Sequence, residues 1–156
     1  MNRDFWARLS ATDRCVAVGA AIVFVAGFLP WWGYKGPLAL YGASVAGWSS
    51  GFTAWAGIIL LVAAGAFHTA RALGVSVPEL RFGPAVAVAG AAAVGLLLVI
   101  IRWLTLPRVH EGLAGSVGAR FGIWVAIVAG AVELAAAVSA FRKSGEPVPW
   151  AQPDQT

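Results

Sequence analysis

The chain alternates between long runs without charge and short segments that carry the charged residues. Uncharged runs cover residues 15–34, 36–67 and 82–101, and a fourth run, 121–141, contains one charge, Glu133. Each run can supply the roughly 20 helical residues that cross a bilayer core about 30 Å thick. The pattern predicts an all-α membrane protein, a bundle of four transmembrane helices at about residues 10–30, 51–71, 83–104 and 118–142.

These spans form one predicted domain, residues 1–143. Residues 144–156 contain three prolines and have little to bury, so we expect a disordered cytoplasmic tail. The start of the first helix is marked by Ser10 as its cap and by Asp13 in the acidic position of a capping box. Four spans leave no room for a soluble catalytic domain, and we expect the protein not to be an enzyme.

The composition supports a membrane location. The chain is 60% hydrophobic and only 12% charged, against about a quarter charged in soluble domains. Its single cysteine, Cys15, excludes a thiol redox pair or a cysteine-based metal cluster, and we expect neither metal nor cofactor. The net charge of +4 comes from residues placed singly at span ends, which indicates topology signals rather than nucleic-acid binding.

The distribution of basic residues predicts the orientation. With the N-terminus inside, seven of the eleven arginines and lysines face the cytoplasm and four face outwards, as the positive-inside rule favours. We therefore expect both termini inside, in a multi-pass protein of a bacterial inner membrane. The four outward residues are Lys35, Arg102, Arg108 and Arg120.

Small residues recur at steps of four on the last two predicted helices, a spacing that lets helix backbones approach closely. We expect these two helices to pack as a tight hairpin; a homodimer face is the alternative use of either ladder. The ladders are Gly83, Ala87, Ala91 and Gly95 on the third helix, and Gly118, Gly122, Ala126 and Gly130 on the fourth.

Glu133 lies on the small-residue face of the fourth helix, roughly 13 Å along the axis from Arg142. A charge at that depth is costly, so we expect the carboxyl to point into the bundle and to be protonated or paired. Partners within reach are His68, with Thr69 and Ser139 as hydroxyl alternatives. Two interpretations remain open: a single hydrogen bond that sets helix register, and a protonation site in a transport cycle.

Aromatic and basic residues gather near the predicted outer interface. An aromatic belt explains tryptophan at both ends of the spans, but it does not explain why aromatic and basic residues are concentrated at the outer end. Arg102 and Arg120 flank one short loop, so they could jointly hold an anion such as a lipid phosphate or a partner's carboxylate; pairing with Glu111 is the alternative. We call the following residues the outer rim: Arg102, Arg108, Arg120, Trp31, Trp32, Trp103 and Trp124.

Two function hypotheses follow. The first is an accessory or scaffold subunit whose outer rim binds a partner membrane protein, a second copy of the chain or an anionic membrane lipid. The second is a small proton-coupled transporter in which Glu133 is the protonation site.

Two short segments carry a resemblance to a known group of proteins. The segment FLPWW at residues 28–32 and the segment ARFGIWVAI at residues 119–127 resemble small four-helix integral membrane proteins common in actinobacteria. That group mostly lacks an assigned activity. The resemblance therefore implies a four-helix architecture and a cell-membrane location, and it assigns no residue a role.

Overall fold

A computed structural model describes residues 3–35, 44–78, 83–107 and 116–146. The chain is mostly helical, with a small sheet. In chain order the elements are α1 (Arg3–Arg8), α2 (Ala11–Ala26), β1 (Pro30–Lys35), β2 (Ser44–Ala46), a 3-10 turn (Gly47–Ser49), α3 (Phe52–Ala72), α4 (Pro84–Leu104), β3 (Ser116–Ala119) and α5 (Phe121–Ser144).

Helices α2, α3, α4 and α5 form a ring in which each helix packs on the next and α5 closes onto α2. Side-chain contacts at the two ends show that neighbouring helices alternate in direction. Arg102, at the end of α4, reaches Ser50, just before α3, while His68, near the end of α3, reaches Asp13, at the start of α2. We call these two ends the sheet end and the Asp13 end.

Three of the described helices, α3, α4 and α5, are long and apolar enough to cross a membrane. Helix α2 has 16 residues and is therefore about 24 Å long, shorter than a hydrocarbon core of about 30 Å. Its predicted capping box is confirmed: the Asp13 backbone N–H donates to Ser10 Oγ, and the Ser10 backbone N–H donates to the Asp13 carboxylate.

The prediction that the first helix continues to residue 30 is wrong. Helix α2 ends at Ala26, and Phe28 and Leu29 form a turn whose backbone N–H groups donate to the carbonyls of Val25 and Ala26. Pro30 then begins strand β1, where its lack of an N–H is tolerated at the first position. The aromatic residues that follow favour extended backbone over helix.

The prediction of a purely helical chain is also wrong, because a three-stranded antiparallel sheet in the order β2, β1, β3 lies at the sheet end. Trp32 is paired with Val45 on one side and Ala119 on the other. Helix α5 therefore begins at Phe121, three residues later than residue 118. Gly118 is not a helix-packing residue: it lies in β3 opposite Gly33.

The closest glycine contact involving α4 is with α3, not with α5. A methyl group on Gly57 of α3 would lie 2.8 Å from the Gly95 carbonyl oxygen, and one on Gly95 would lie 3.0 Å from the Gly57 carbonyl oxygen. Helices α4 and α5 do pack on each other, but Gly130 of α5 meets the larger side chains Leu61 and Leu96. Helices α4 and α5 are therefore neighbours, as the two ladders predicted, but glycines of the two helices do not contact each other.

The remaining small residues of the two ladders lie in different surroundings. On α4, Ala87 and Ala91 are half-buried, and Gly83 precedes the helix as its N-cap with a φ of 78°, a conformation that favours glycine. On α5, Gly122 packs under Leu29, Pro30 and Trp31, and Ala126 is fully buried in the core.

The predicted tail begins with ordered residues. Helix α5 continues to Ser144, and the Glu146 carboxylate accepts the backbone N–H of Ala85 at 3.0 Å and that of Val86 at 3.4 Å. An acidic group at a helix N-terminus satisfies free N–H groups and interacts favourably with the helix dipole. Residues 144–146 therefore belong to the folded domain, and residues 147–156 lie outside the described part of the chain.

Candidate functional site

Two arginines of the outer rim are held at the sheet end by neutral oxygen atoms. Arg102 Nε donates to Ser50 Oγ at 2.9 Å, and the same hydroxyl accepts the indole N–H of Trp32 at 2.9 Å. Arg120 donates from Nη2 to the Tyr34 carbonyl at 2.5 Å. Both arginines are half-buried, so their guanidinium groups are positioned but still reachable.

Neither guanidinium has an acidic partner within the described ranges. The ion pairs found there are His68 with Asp13 and Arg71 with Glu146, and both lie at the Asp13 end. Arg120 Nε is moreover buried without an acceptor. The sheet end therefore holds positive charge that the described residues do not neutralise. Arg108 and Glu111 lie outside the described residues, so their predicted contributions stay predictions.

The tryptophans of the outer rim divide into a core residue and surface residues. Trp31 is fully buried, and its indole N–H donates to the Ala26 carbonyl at 2.8 Å, which caps the end of α2. Its place in the outer rim is wrong, because alternate residues of a strand point to opposite faces and Trp31 points into the bundle. Trp32 is half-buried, while Trp103 and Trp124 stack edge to face with ring centroids 5.1 Å apart.

Glu133 lies in the middle of the bundle, with a side chain that is fully buried. Two glycines on neighbouring helices make room for it. A methyl group on Gly19 of α2 would lie 2.9 Å from Glu133 Cβ, and one on Gly65 of α3 would lie 3.2 Å from Glu133 Oε1. The carboxyl therefore occupies the place where α2, α3 and α5 meet.

Neither carboxyl oxygen of Glu133 has a hydrogen-bond partner among the described residues. Two of the three predicted partners bond elsewhere: His68 Nε2 contacts Asp13 Oδ1 at 2.8 Å, and Thr69 Oγ1 donates to the Gly65 carbonyl at 2.7 Å. The third, Ser139, does not bond to Glu133 either. The interpretation of Glu133 as a register-setting hydrogen bond is therefore not supported. A buried polar group without a partner is rare and calls for an explanation.

The contact between His68 and Asp13 ties α2 to α3 and was missed from the sequence. The sequence indicates only a capping role for Asp13, because no local pattern connects it to a residue 55 positions away.

The Asp13 end also contains a cleft of about 320 Å³. Asp13 and His68 line it together with Arg71 and Ser144. Among the described residues, no group of three or more histidine, cysteine, aspartate or glutamate side chains could hold a metal ion.

Comparison of the chain with protein-family models, with curated proteins and with solved structures gives no match. The resemblance to small actinobacterial membrane proteins therefore stays a prediction.

Proposed function

We propose that this protein is a non-enzymatic accessory or scaffold subunit of a bacterial inner membrane, and that Arg102 and Arg120 bind an acidic group on a partner membrane protein. The observation that carries the proposal is the unneutralised charge at the sheet end, where two half-buried guanidinium groups are held only by neutral oxygens within the described residues. Arginine binds carboxylate and phosphate through paired hydrogen bonds.

The sheet supports a polypeptide partner over a lipid. In the order β2, β1, β3, both outer strands present backbone N–H and C=O groups, and no fourth strand pairs with them in the described part of the chain. An open edge of this kind fits an extended segment of another protein. A second copy of this chain is one such partner, and a lipid phosphate is the competing occupant of the arginines.

The proposal includes a topology in which α2 crosses the membrane beside α3, α4 and α5. Helix α2 is short, but the uncharged run continues to residue 34, and the turn and strand after Ala26 extend its path. With four crossings and the positive-inside orientation, both termini face the cytoplasm and the sheet end faces outwards. The arginines of the outer rim then face molecules of the outer leaflet or of the compartment beyond it.

Removal of the two arginines tests the proposal. We expect the double variant Arg102→Ala with Arg120→Ala to lose a protein that co-purifies with the wild type after mild detergent extraction. Arg71→Ala, which removes a cation at the Asp13 end, is the matched control and should retain it. Loss of a bound phospholipid instead of a protein would assign the arginines to lipid, and equal recovery from all three proteins would refute the proposal.

A proton-coupled transporter is the second candidate, favoured by a separate observation. The Glu133 carboxyl is fully buried between three helices and has no hydrogen-bond partner among the described residues. Ionisable groups inside membranes mark proton and substrate paths when no structural role accounts for them. In proteoliposomes, Glu133→Gln should then abolish pH-driven flux while Glu146→Gln leaves it intact; wild-type protein without flux of any tested cation would exclude the transporter.

A further inference from the structure

Helices α2 and α5 enclose an open groove of about 570 Å³ on the outer surface of the bundle. Val18 and Ile22 line it from α2, and Val128 and Val132 line it from α5. These side chains are between 41% and 62% exposed, so the described chain does not fill the groove. Its volume lies within the range of about 300–1,000 Å³ that is typical of small-ligand sites.

The groove has a different chemistry at each end. Trp124 lines it towards the sheet end and Arg14 towards the Asp13 end. Arg14 Nη2 donates to the Trp6 backbone carbonyl at 2.6 Å, and no carboxylate pairs with Arg14 in the described part of the chain. The neighbouring acid, Asp13, is turned towards α3 by its contact with His68.

The last turn of α5 adds positive charge at the same end. Lys143 Nζ lies 3.5 Å from Thr12 Oγ1, which brings the end of α5 beside the first turn of α2. Arg142 and Lys143 are both exposed. A ligand that lies along the groove therefore meets apolar side chains over its length and cations at one end.

We propose that this groove binds an anionic phospholipid, with one acyl chain between α2 and α5 and the phosphate at Arg14. A single apolar chain with one negative headgroup matches both the aliphatic lining and the charge at the mouth. Arginine forms paired hydrogen bonds with phosphate, and an aromatic ring at the other end is typical of a membrane interface. The site lies at the opposite end from Arg102 and Arg120 and does not depend on their function.

The first test compares spin-labelled phosphatidylglycerol with spin-labelled phosphatidylcholine, each added to the protein in phosphatidylcholine vesicles. We expect the wild type to immobilise phosphatidylglycerol with about fivefold preference, the effect of roughly one basic residue near a membrane surface. Arg14→Gln should reduce this preference, and Arg71→Gln, which removes a cation of the same end outside the groove, should leave it unchanged. An equal loss in both variants, or no preference in the wild type, would overturn the proposal.

The second test fills the groove. Val128→Phe should reduce the number of immobilised lipids of either type, whereas Val94→Phe, at a similarly exposed position on α4, should not. Equal lipid numbers in the two variants would contradict an acyl chain between α2 and α5. Cys15 also lines the groove, so efficient Cys15 to Cys15 cross-linking in lipid would show that a second copy occupies it and would likewise overturn the proposal.

Discussion

Replacement of Glu133 by methionine should stabilise the protein. The carboxyl is 0% exposed, and both of its oxygens lack a partner among the described residues. A buried polar group left without a hydrogen bond costs about 1–3 kcal/mol. Methionine has a similar length and a flexible side chain, so it can fill the space that Gly19 and Gly65 leave.

The expected gain in the free energy of unfolding lies near the lower end of that range, about 1 kcal/mol. The unfolded chain of a membrane protein keeps its helices in lipid, where Glu133 stays poorly solvated, so part of the cost is present in both states. Equilibrium unfolding in mixed micelles with increasing dodecyl sulfate, followed by circular dichroism, measures this difference.

Glu133→Gln is the matched control, because glutamine keeps the shape and the two polar atoms but cannot ionise. We expect its stability to be close to that of the wild type, because the variant still buries two polar atoms without partners. A methionine variant that is less stable than the wild type by more than about 1 kcal/mol would refute the reasoning, since it would mean that Glu133 makes a stabilising hydrogen bond.

Two further predictions concern helix packing and the contact between Asp13 and His68. Gly95→Ala should destabilise the protein by about 1–3 kcal/mol, because the new methyl group would overlap the Gly57 carbonyl. The control Gly90→Ala, on the same helix with open space around it, should stabilise the protein slightly. Equal effects of the two substitutions in the same unfolding assay would contradict the close contact between Gly57 and Gly95. Asp13→Asn should lower the thermal stability measured in detergent at neutral pH by removing the contact with His68. Equal thermal stability of the variant and the wild type would contradict a stabilising contact between Asp13 and His68.

Helices α2 to α5 could be predicted from the sequence because each one lies largely within a run that carries at most one charge, whereas the short, charged helix α1 could not. Helix α3 begins and ends one residue later than expected, and α4 begins one residue later and ends at the expected residue, 104. The strands could not be predicted in this way. Strand β1 has six residues, and β2 and β3 have three and four, so no hydrophobic period develops, and their pairing joins segments far apart in the chain.

For the candidate sites, the sequence predicts the direction in which a side chain points from its own helix. It does not predict which side chains of other elements that residue contacts. The position of Glu133 on the small-residue face of α5 follows from helical spacing, and the structure places this side chain in the interior. Its lack of a partner depends on where other helices place their side chains, as His68 shows by contacting Asp13. The burial of Trp31 likewise depends on a strand that the hydrophobic pattern did not reveal.

Labelling of introduced cysteines tests the topology on which the proposed function depends. In a Cys15→Ser background, a cysteine at exposed Ala11 marks the Asp13 end, and one at exposed Ser49 marks the sheet end. With a membrane-impermeant maleimide, Ser49→Cys should react in intact spheroplasts, whereas Ala11→Cys should react only after permeabilisation. Reaction of both from the same side would show that α2 does not cross the membrane and would contradict the account.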